Sequence, residues 1–306
     1  MAAYYAVNPY DVSVLKVRLQ AEIQAHDEPG LWMALVDTAF DHGNKPPAWL
    51  KAAWPVYHQD KLAAMQSVSP VLLELPSVHD AEFEPALARL LTHCCGRPML
   101  SFLRIAQPPQ SLREAWQKTL QVVTKDGLSF VLRFADTRTL PSIAAILAHG
   151  AWTSLSHGVD QWLSIDREGN LQQLQVAGAD APCPQTVDQL GKISSHISDK
   201  DLAQLLKQGQ ADALAGAFEE HFPDLLMPQS QGATMYQQLN AICALAEKHN
   251  IEAFPNVMSL AVSVVSSEGA LLHDADFEHW LQQREWVAPG LARALADHFE
   301  PETAAN

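Results

Sequence analysis

The sequence has few basic residues, and it lacks any long apolar run. Against 35 Asp and Glu residues it has only 20 Lys and Arg, which gives a formal net charge of -15. Proteins that bind nucleic acids gather Lys and Arg to neutralise phosphates, so this balance argues against a nucleic-acid partner. A helix that crosses a bilayer needs about 20 consecutive apolar residues. No run of that length is present, which predicts a protein without a membrane span.

Cysteines are also scarce, since the chain of 306 residues has only Cys94, Cys95, Cys183 and Cys243. Four cysteines in so long a chain do not form a disulfide framework, and their spacing matches no zinc site. The N-terminus, "MAAYYAVNPYDVSVLKV", has no basic segment followed by an apolar stretch, as a signal peptide would have. These features predict a protein of the reducing cytoplasm.

The sequence motifs of common catalytic sites are missing. No Gly-rich phosphate loop and no His-Glu-x-x-His pair occurs, and "TSLSHG" lacks the first glycine of a nucleophile elbow. His273 and His279 are six residues apart, which would place them on different faces of a helix. We therefore expect no metal, no cofactor and no enzymatic activity. A hydrolase or transferase with an unrecognised active site remains the alternative.

The N-terminal part of the chain combines short strands with helices. Its brief apolar runs are bounded by Pro, Gly or Asp, which is typical of buried strands. These runs are "LWMALVD" (31–37), "PVLLELP" (70–76) and "RPMLSFLRI" (97–105). The pattern predicts an α/β (α+β) lobe with a small mixed sheet.

One helix and two hairpins follow these strands. "SLREAWQKTL" opens with Ser111 and Glu114, the spacing of a capping box, and continues with helical apolar spacing. Asp126-Gly127 favours a tight hairpin turn, and residues 162–176 have the pattern of a second hairpin. In the second strand of the first hairpin, alternation predicts one shared apolar face for Leu128, Phe130, Leu132 and Phe134.

The composition changes near residue 180. Residues 181–197 have no sustained period and contain two prolines, so they are expected to link an N-terminal lobe (1–180) to a C-terminal lobe (198–306). The C-terminal lobe reads as helical throughout. It has five Lys and Arg against 16 Asp and Glu, so it carries a net charge of -11. We therefore predict an acidic, all-α C-terminal lobe.

The stretch "VLRFADTRTLPSIAAIL" (131–147) runs from a strand pattern into a helical pattern, and three charged residues lie at the junction. Arg133, Asp136 and Arg138 can form charge-assisted hydrogen bonds that hold such a corner in one geometry. Contact with a partner and catalysis are the alternatives. Because no base or nucleophile accompanies the three residues, the structural role is favoured.

Taken in order, these segments resemble the effector chaperones, or adaptors, of the bacterial type VI secretion system (Tap/TEC). The likeness rests on "LWMALVDTA" with Asp37, on "PVLLELP", and on the block from residue 101 to 147. That family has a strand ending in Arg, an aromatic, a variable residue, Asp, Pro and Arg. Arg133, Asp136 and Arg138 match this pattern, whereas Ala135 replaces a usual aromatic and Thr137 the usual proline.

The resemblance implies a cytoplasmic, non-catalytic protein that binds a toxic effector and helps load it onto the spike protein VgrG. Binding energy at protein interfaces concentrates in a few aromatic and arginine residues. In "DFEHWLQQREW", Trp280 belongs to an apolar helical stripe, and Trp286 follows that stripe beside Arg284. We therefore expect Trp286 to reach the surface and, with Arg284 and Trp280, to contact a partner.

Overall fold

The computed structural model describes residues 3–25, 30–44, 47–148, 150–177, 195–287 and 290–299. The chain divides into two units by its internal contacts. One, the α/β unit, is Pro9–Gln208, and the other, the helical unit, combines Met1–Asn8 with Gly209–Asn306. The predicted fold class, an α/β (α+β) N-terminal part followed by an all-α C-terminal part, is confirmed.

The main sheet of the α/β unit has six strands in the order β2-β3-β1-β4-β7-β8. Every neighbouring pair in it is antiparallel. Its strands are β1 (Leu31–Asp37), β2 (Trp54–Pro55), β3 (Pro70–Glu74), β4 (Leu100–Ile105), β7 (Val159–Ile165) and β8 (Leu171–Leu174). The three apolar runs and the second hairpin of the sequence thus form strands of one sheet.

Both faces of this sheet are covered. Along β1, Met33 and Leu35 pack into one cluster, while Trp32, Ala34 and Val36 pack into another on the opposite face, as alternation requires. Helices α1 (Val12–Gln24) and α2 (Phe83–Cys94) belong to the second cluster. The first cluster includes α3 (Pro109–Thr119), α4 (Leu140–Ile146) and α5 (Ala151–Ser156). Burial on both sides explains why the strand sequences are almost continuously apolar.

A second sheet in this unit has the order β6-β5-β9. Strands β5 (Gln121–Val123) and β6 (Ser129–Val131) form the predicted hairpin, with Gly127 at a φ of +85°. Strand β9 (Ser195–His196) pairs with β5 in parallel. The predicted common apolar face is wrong, because Leu128 and Phe130 are exposed on this edge hairpin. Of the four predicted residues, those beyond the end of β6 are the buried ones, namely Leu132 and Phe134.

The predicted capping box at Ser111 is also wrong, although the helix is confirmed. Helix α3 begins two residues earlier, at Pro109, so Ser111 lies inside its first turn. Pro108 is the N-cap, and no side chain caps the helix. Proline suits the first helical position because its missing N–H would have no partner there.

The helical unit contains five helices among its described residues. Its helices are α7 (Gln210–His221), α8 (Gly232–Lys248), α9 (Phe254–Ser266), α10 (Ala275–Gln283) and α11 (Leu291–Phe299). Asp274 starts α10 by accepting hydrogen bonds from the backbone N–H groups of Asp276 and Phe277 at 2.9 and 3.1 Å. An Asp N-cap satisfies donors that have no partner within the helix.

The two units have limits that differ from the predicted ones. Helix α6 (Asp199–Gln208) belongs to the α/β unit, where Leu202 and Leu205 pack against its core. The segment that ends at Asn8 belongs to the helical unit. Most of the predicted linker, 181–197, lies outside the described residues, and its last residues form β9 and the buried Ile197.

Across the part of the chain that the structure describes, no helix has both the length and the apolar character needed to cross a membrane.

Candidate functional site

The residues that carry the resemblance meet where β1 ends. Asp37 is the last residue of β1 and the N-cap of a short 3-10 helix, Thr38–Asp41. Its Oδ1 accepts a hydrogen bond from the Ala39 N–H at 3.1 Å. The carboxylate therefore fixes the direction in which the chain leaves the sheet, which is the usual role of Asp at an N-cap.

A backbone segment before β4 joins this strand end to the loop that precedes α4. The N–H of Asp37 donates to the carbonyl of Met99 at 2.8 Å, and the N–H of Thr137 donates to the carbonyl of Pro98 at 3.0 Å. The proline that the family usually has at position 137 lacks this N–H. Thr137 thus contributes a hydrogen bond to the corner that proline could not make.

Four charged side chains form one network of ion pairs across this junction, which we call the Asp-Arg corner. The Nη2 of Arg133 lies 3.1 Å from the Oδ2 of Asp37 and 3.7 Å from the Oδ2 of Asp136. The Nε and Nη2 of Arg138 donate to the two carboxylate oxygens of Asp136 at 3.1 and 2.8 Å. All four residues singled out in the sequence, Asp37, Arg133, Asp136 and Arg138, are therefore in contact in one network.

Phe40 is a member of this site that the sequence analysis missed. The Cζ atoms of Arg133 and Arg138 lie 5.4 and 5.5 Å from the centroid of its ring. Both distances fall within the range of cation–π attraction. The aromatic ring holds the two guanidinium groups that also bind the carboxylates, and only its position three residues after Asp37 could have suggested this role.

Burial differs sharply between the members of the corner. Asp37 and Asp136 are buried, whereas the Arg133 side chain is 50% exposed. Burial raises the pKa of Asp37, although the guanidinium of Arg133 opposes that rise. Burial, together with the neighbouring charge of Asp37, raises the pKa of Tyr57 to about 12. Tyr57 therefore stays protonated at neutral pH.

The geometry of Asp136 suits a structural role. One of its oxygens also accepts the backbone N–H of Arg138 at 3.0 Å, so the carboxylate receives three hydrogen bonds from that one residue. Its own carbonyl accepts the N–H of Leu140 at 3.0 Å, at the start of α4. The arrangement orients the first turn of α4 and leaves Arg133 as the most exposed charged group of the corner.

A second polar cluster lies at the other end of the 3-10 helix. The Oδ2 of Asp41 is 2.9 Å from the Nε2 of His93, and the guanidinium of Arg97 donates to Oδ1 of Asp41. Trp49 packs edge-on against the His93 ring, with centroids 5.4 Å apart. Burial would raise the pKa of Asp41, but the hydrogen bonds from His93 and Arg97 together outweigh it and lower that pKa.

Trp286 was predicted to be exposed and to contact a partner, but the structure shows that it is buried. Trp286 is 5% exposed and belongs to the core of the helical unit, and its Nε1 donates to the carbonyl of Leu281 at 3.1 Å. Trp280 is buried in the same core. Arg284 is exposed, with its Cζ 5.8 Å from the centroid of the Trp286 ring. The chain turns back at Arg284, which has a φ of +56°, and this carries Trp286 inward.

Among the described residues, no group of three or more His, Cys, Asp and Glu side chains could hold a metal ion. Cys94, Cys95 and Cys243 are free thiols, while Cys183 lies outside the described residues.

Comparison with known proteins gives one match, and it covers the region of the corner. Searches of curated proteins and of solved structures found no significant match to this chain. Over residues 32–154, from β1 to α5, the chain matches the family model of a domain of unknown function, DUF4123.

Proposed function

We propose that this protein is a cytoplasmic adaptor of a bacterial type VI secretion system, which binds a toxic effector and helps load it onto the VgrG spike. The proposal rests on the resemblance of the sequence to the Tap/TEC adaptors. The match to DUF4123 covers residues 32–154, the region in which most of that resemblance lies. It includes all four residues of the Asp-Arg corner.

The observation that carries the proposal is the assembly of that corner. Asp37 and Arg133 are 96 residues apart in the sequence, yet they form a direct hydrogen bond. The residues that match the adaptor pattern are thus parts of a single site and not separate coincidences along the chain. Both carboxylate oxygens of Asp136 accept hydrogen bonds from the side chain of Arg138, so the corner is rigid. A rigid scaffold of this kind suits a binding protein.

The test is reconstitution with purified proteins. The full chain is mixed with a type VI effector and a VgrG protein from the same bacterium, and complexes are separated by size-exclusion chromatography. We expect a stoichiometric complex of chain and effector, and loading of the effector onto VgrG that requires the chain. An unrelated effector with its own VgrG serves as the control. Failure of the cognate effector to co-elute with the chain would refute the proposal.

The competing function is a hydrolase or a transferase. Under that alternative the chain would modify the effector or a small molecule catalytically, at amounts well below one equivalent. Mass spectrometry of the effector after incubation with a tenth of an equivalent of the chain separates the two. Complete conversion would favour the enzyme, whereas an effector that stays unmodified here, and that forms the stoichiometric complex in the size-exclusion experiment, favours the adaptor.

A further inference from the structure

The helical unit contains a groove without a charged side chain in its lining. The groove has a volume of about 470 Å³, and residues of α9 and α11 supply most of its walls. Phe222, Ser267 and Leu271 complete the lining, in which four of the 11 residues are serines. An uncharged groove is unexpected here, because residues 209–306 contain three Lys and Arg against 14 Asp and Glu, a net charge of -11.

Helix α9 presents apolar side chains on two sides. Leu260 and Val264 are buried in the core of the unit, whereas Met258 and Val262 are only half-buried and line the groove. A helix that only covers a core has a polar outer face. No charged residue occurs anywhere in α9, and on its groove side Met258 and Val262 alternate with Ser259, Ser263 and Ser266. This side of α9 is therefore uncharged, although it is not purely apolar.

Two large aromatic residues extend this apolar surface. Phe222, which lines the groove, is 38% exposed, and Phe254, one helical turn before Met258, is 50% exposed. Residues four apart on a helix lie on the same side, so Phe254 continues the row of Met258 and Val262. Exposed aromatic side chains beside a groove are typical of interaction sites.

Acidic residues lie close in sequence to the residues that line the groove. Asp224 follows Phe222 closely, Glu268 follows α9, and Asp297 lies next to the lining residue Ala296. All three side chains are exposed. On α11 the guanidinium of Arg293 lies 4.0 Å from the carboxylate of Asp297. This pair partly neutralises Asp297, whereas Asp224, Glu268 and the net charge of -11 over residues 209–306 favour an occupant that carries positive charge.

The dimensions of the groove suit a helix. Its lining extends from Met258 on α9 to Ser267, the residue just after that helix, which at 1.5 Å per residue corresponds to a length of about 14 Å. That is about nine residues, or two and a half turns, of a second helix. Such a segment presents apolar residues at positions i, i+3 or i+4, and i+7, the pattern by which amphipathic helices enter grooves.

We propose that this groove binds an amphipathic helix of a partner protein. The apolar stripe of that helix enters between α9 and α11, and its flanking Lys and Arg residues face Asp224, Glu268 and Asp297. The identity of the partner as the effector rests on the proposed adaptor function, whereas the chemistry of the helix does not.

The test uses a synthetic peptide and a matched pair of variants. The probe, the Lys peptide, is a fluorescein-labelled helix of 16 residues with Leu at the apolar positions and Lys on either side of them. A control peptide, the Glu peptide, has Glu in place of Lys. Ala292 lines the groove and Ala213 on α7 does not, yet both are exposed alanines within helices. Ala292→Arg and Ala213→Arg therefore change the net charge equally and differ in position.

Fluorescence anisotropy with the full chain gives the affinities. We expect Ala292→Arg to weaken binding of the Lys peptide at least tenfold, about 1.4 kcal/mol, and Ala213→Arg to change it less than twofold. The Glu peptide is expected to bind at least tenfold more weakly. Equal weakening by both variants would show non-specific attraction to an acidic protein, and no binding of the Lys peptide would eliminate the site.

A second pair of variants tests the charges without touching the lining. Glu268→Lys is expected to weaken binding of the Lys peptide severalfold, and Glu252→Lys, at an exposed control position, is expected to have a smaller effect.

Capture of the effector by the Ala292→Arg variant then separates the two proposals. Undiminished capture would overturn the groove as the effector site while the adaptor function stands. Failure of the wild-type chain to capture any effector would refute the adaptor function alone.

Discussion

At the scale of single residues, the two buried acids of the Asp-Arg corner are neutralised to different extents. Asp136 receives a bidentate interaction from Arg138, whose side chain is mostly buried. Asp37 relies on Arg133, which is half exposed and is shared with Asp136. Removing one partner of a buried ion pair is costly because it leaves a buried charge unpaired, whereas water screens the charges of an exposed pair. The corner therefore has a strong half and a weak half.

This difference predicts unequal effects of two substitutions on the free energy of unfolding. Asp136→Ala leaves Arg138 without its carboxylate and is expected to cost on the order of 2 to 4 kcal/mol. Arg133→Ala is expected to cost about 1 kcal/mol, because water already screens its pairs. Urea unfolding of the purified variants measures both. Should Asp136→Ala keep its stability and lose effector capture, the corner would instead be a contact site.

The lowered pKa of Asp41 predicts how stability depends on pH. Below its ordinary value of 3.8 this carboxyl binds fewer protons in the folded state than in the unfolded state. The free energy of unfolding therefore rises with pH through this window, and the contribution of Asp41 is complete above it and lost as the pH falls. We expect Asp41→Asn to flatten the rise in melting temperature between about pH 2 and pH 5. Parallel curves for the two proteins would contradict the assignment.

At the scale of elements, regular patterns were predicted well and irregular ones were missed. The buried strands and the periodic helices α3 and α8 follow from their sequences, because their apolar residues repeat with the period of the element. In helix α1 this pattern is obscured. Its buried residues Leu15, Leu19 and Ile23 have helical spacing, but Val14 and Val17 are apolar and exposed, so the sequence does not single out one apolar face. Strand β9 has two residues, too few to show any period.

The start of α8 depends on a close contact that its sequence does not reveal. A Cβ atom on Gly232 would lie 2.5 Å from the backbone carbonyl oxygen of Val7. The Oδ1 of Asn8 accepts the N–H of Ala233 at 3.0 Å, and the Nε2 of Gln229 donates to the carbonyl of Val7 at 2.6 Å. The segment before Pro9 thus supplies a cap for α8 and packs directly on its first residue.

Two glycine substitutions test this contact. Gly232→Ala is expected to lower the free energy of unfolding of the helical unit by about 2 kcal/mol or more, because the new methyl group displaces backbone atoms. The matched control is Gly216→Ala in α7, where a Cβ meets open space. Alanine favours a helix over glycine by up to about 1 kcal/mol, so the control is expected to raise stability slightly. Equal effects of the two substitutions on thermal melting would contradict a tight contact at Gly232.

At the scale of the whole molecule, the predictions failed where contacts join distant parts of the chain. The N–H of Tyr4 donates to the Oε1 of Glu219 at 2.9 Å, although 215 residues separate them. No local pattern could assign that segment to the helical unit. The same limit applies to Trp286, whose charged neighbours suggested a surface position, while the turn at Arg284 directs the indole into the core. The Asp-Arg corner was found because a family resemblance, and not periodicity, linked its distant residues.

The division of the chain has a consequence for synthesis on the ribosome. The residues just before Pro9 are translated ahead of the α/β unit, but the helices on which Tyr4 and Val7 pack follow only after Pro9–Gln208 has been translated. At about 5 to 20 residues per second, that delay is roughly 10 to 40 s. The α/β unit thus has time to fold before the helices that contact Tyr4 and Val7 have been translated. The helical unit can therefore close only after its last helices have been translated, however early the segment with Tyr4 and Val7 is made.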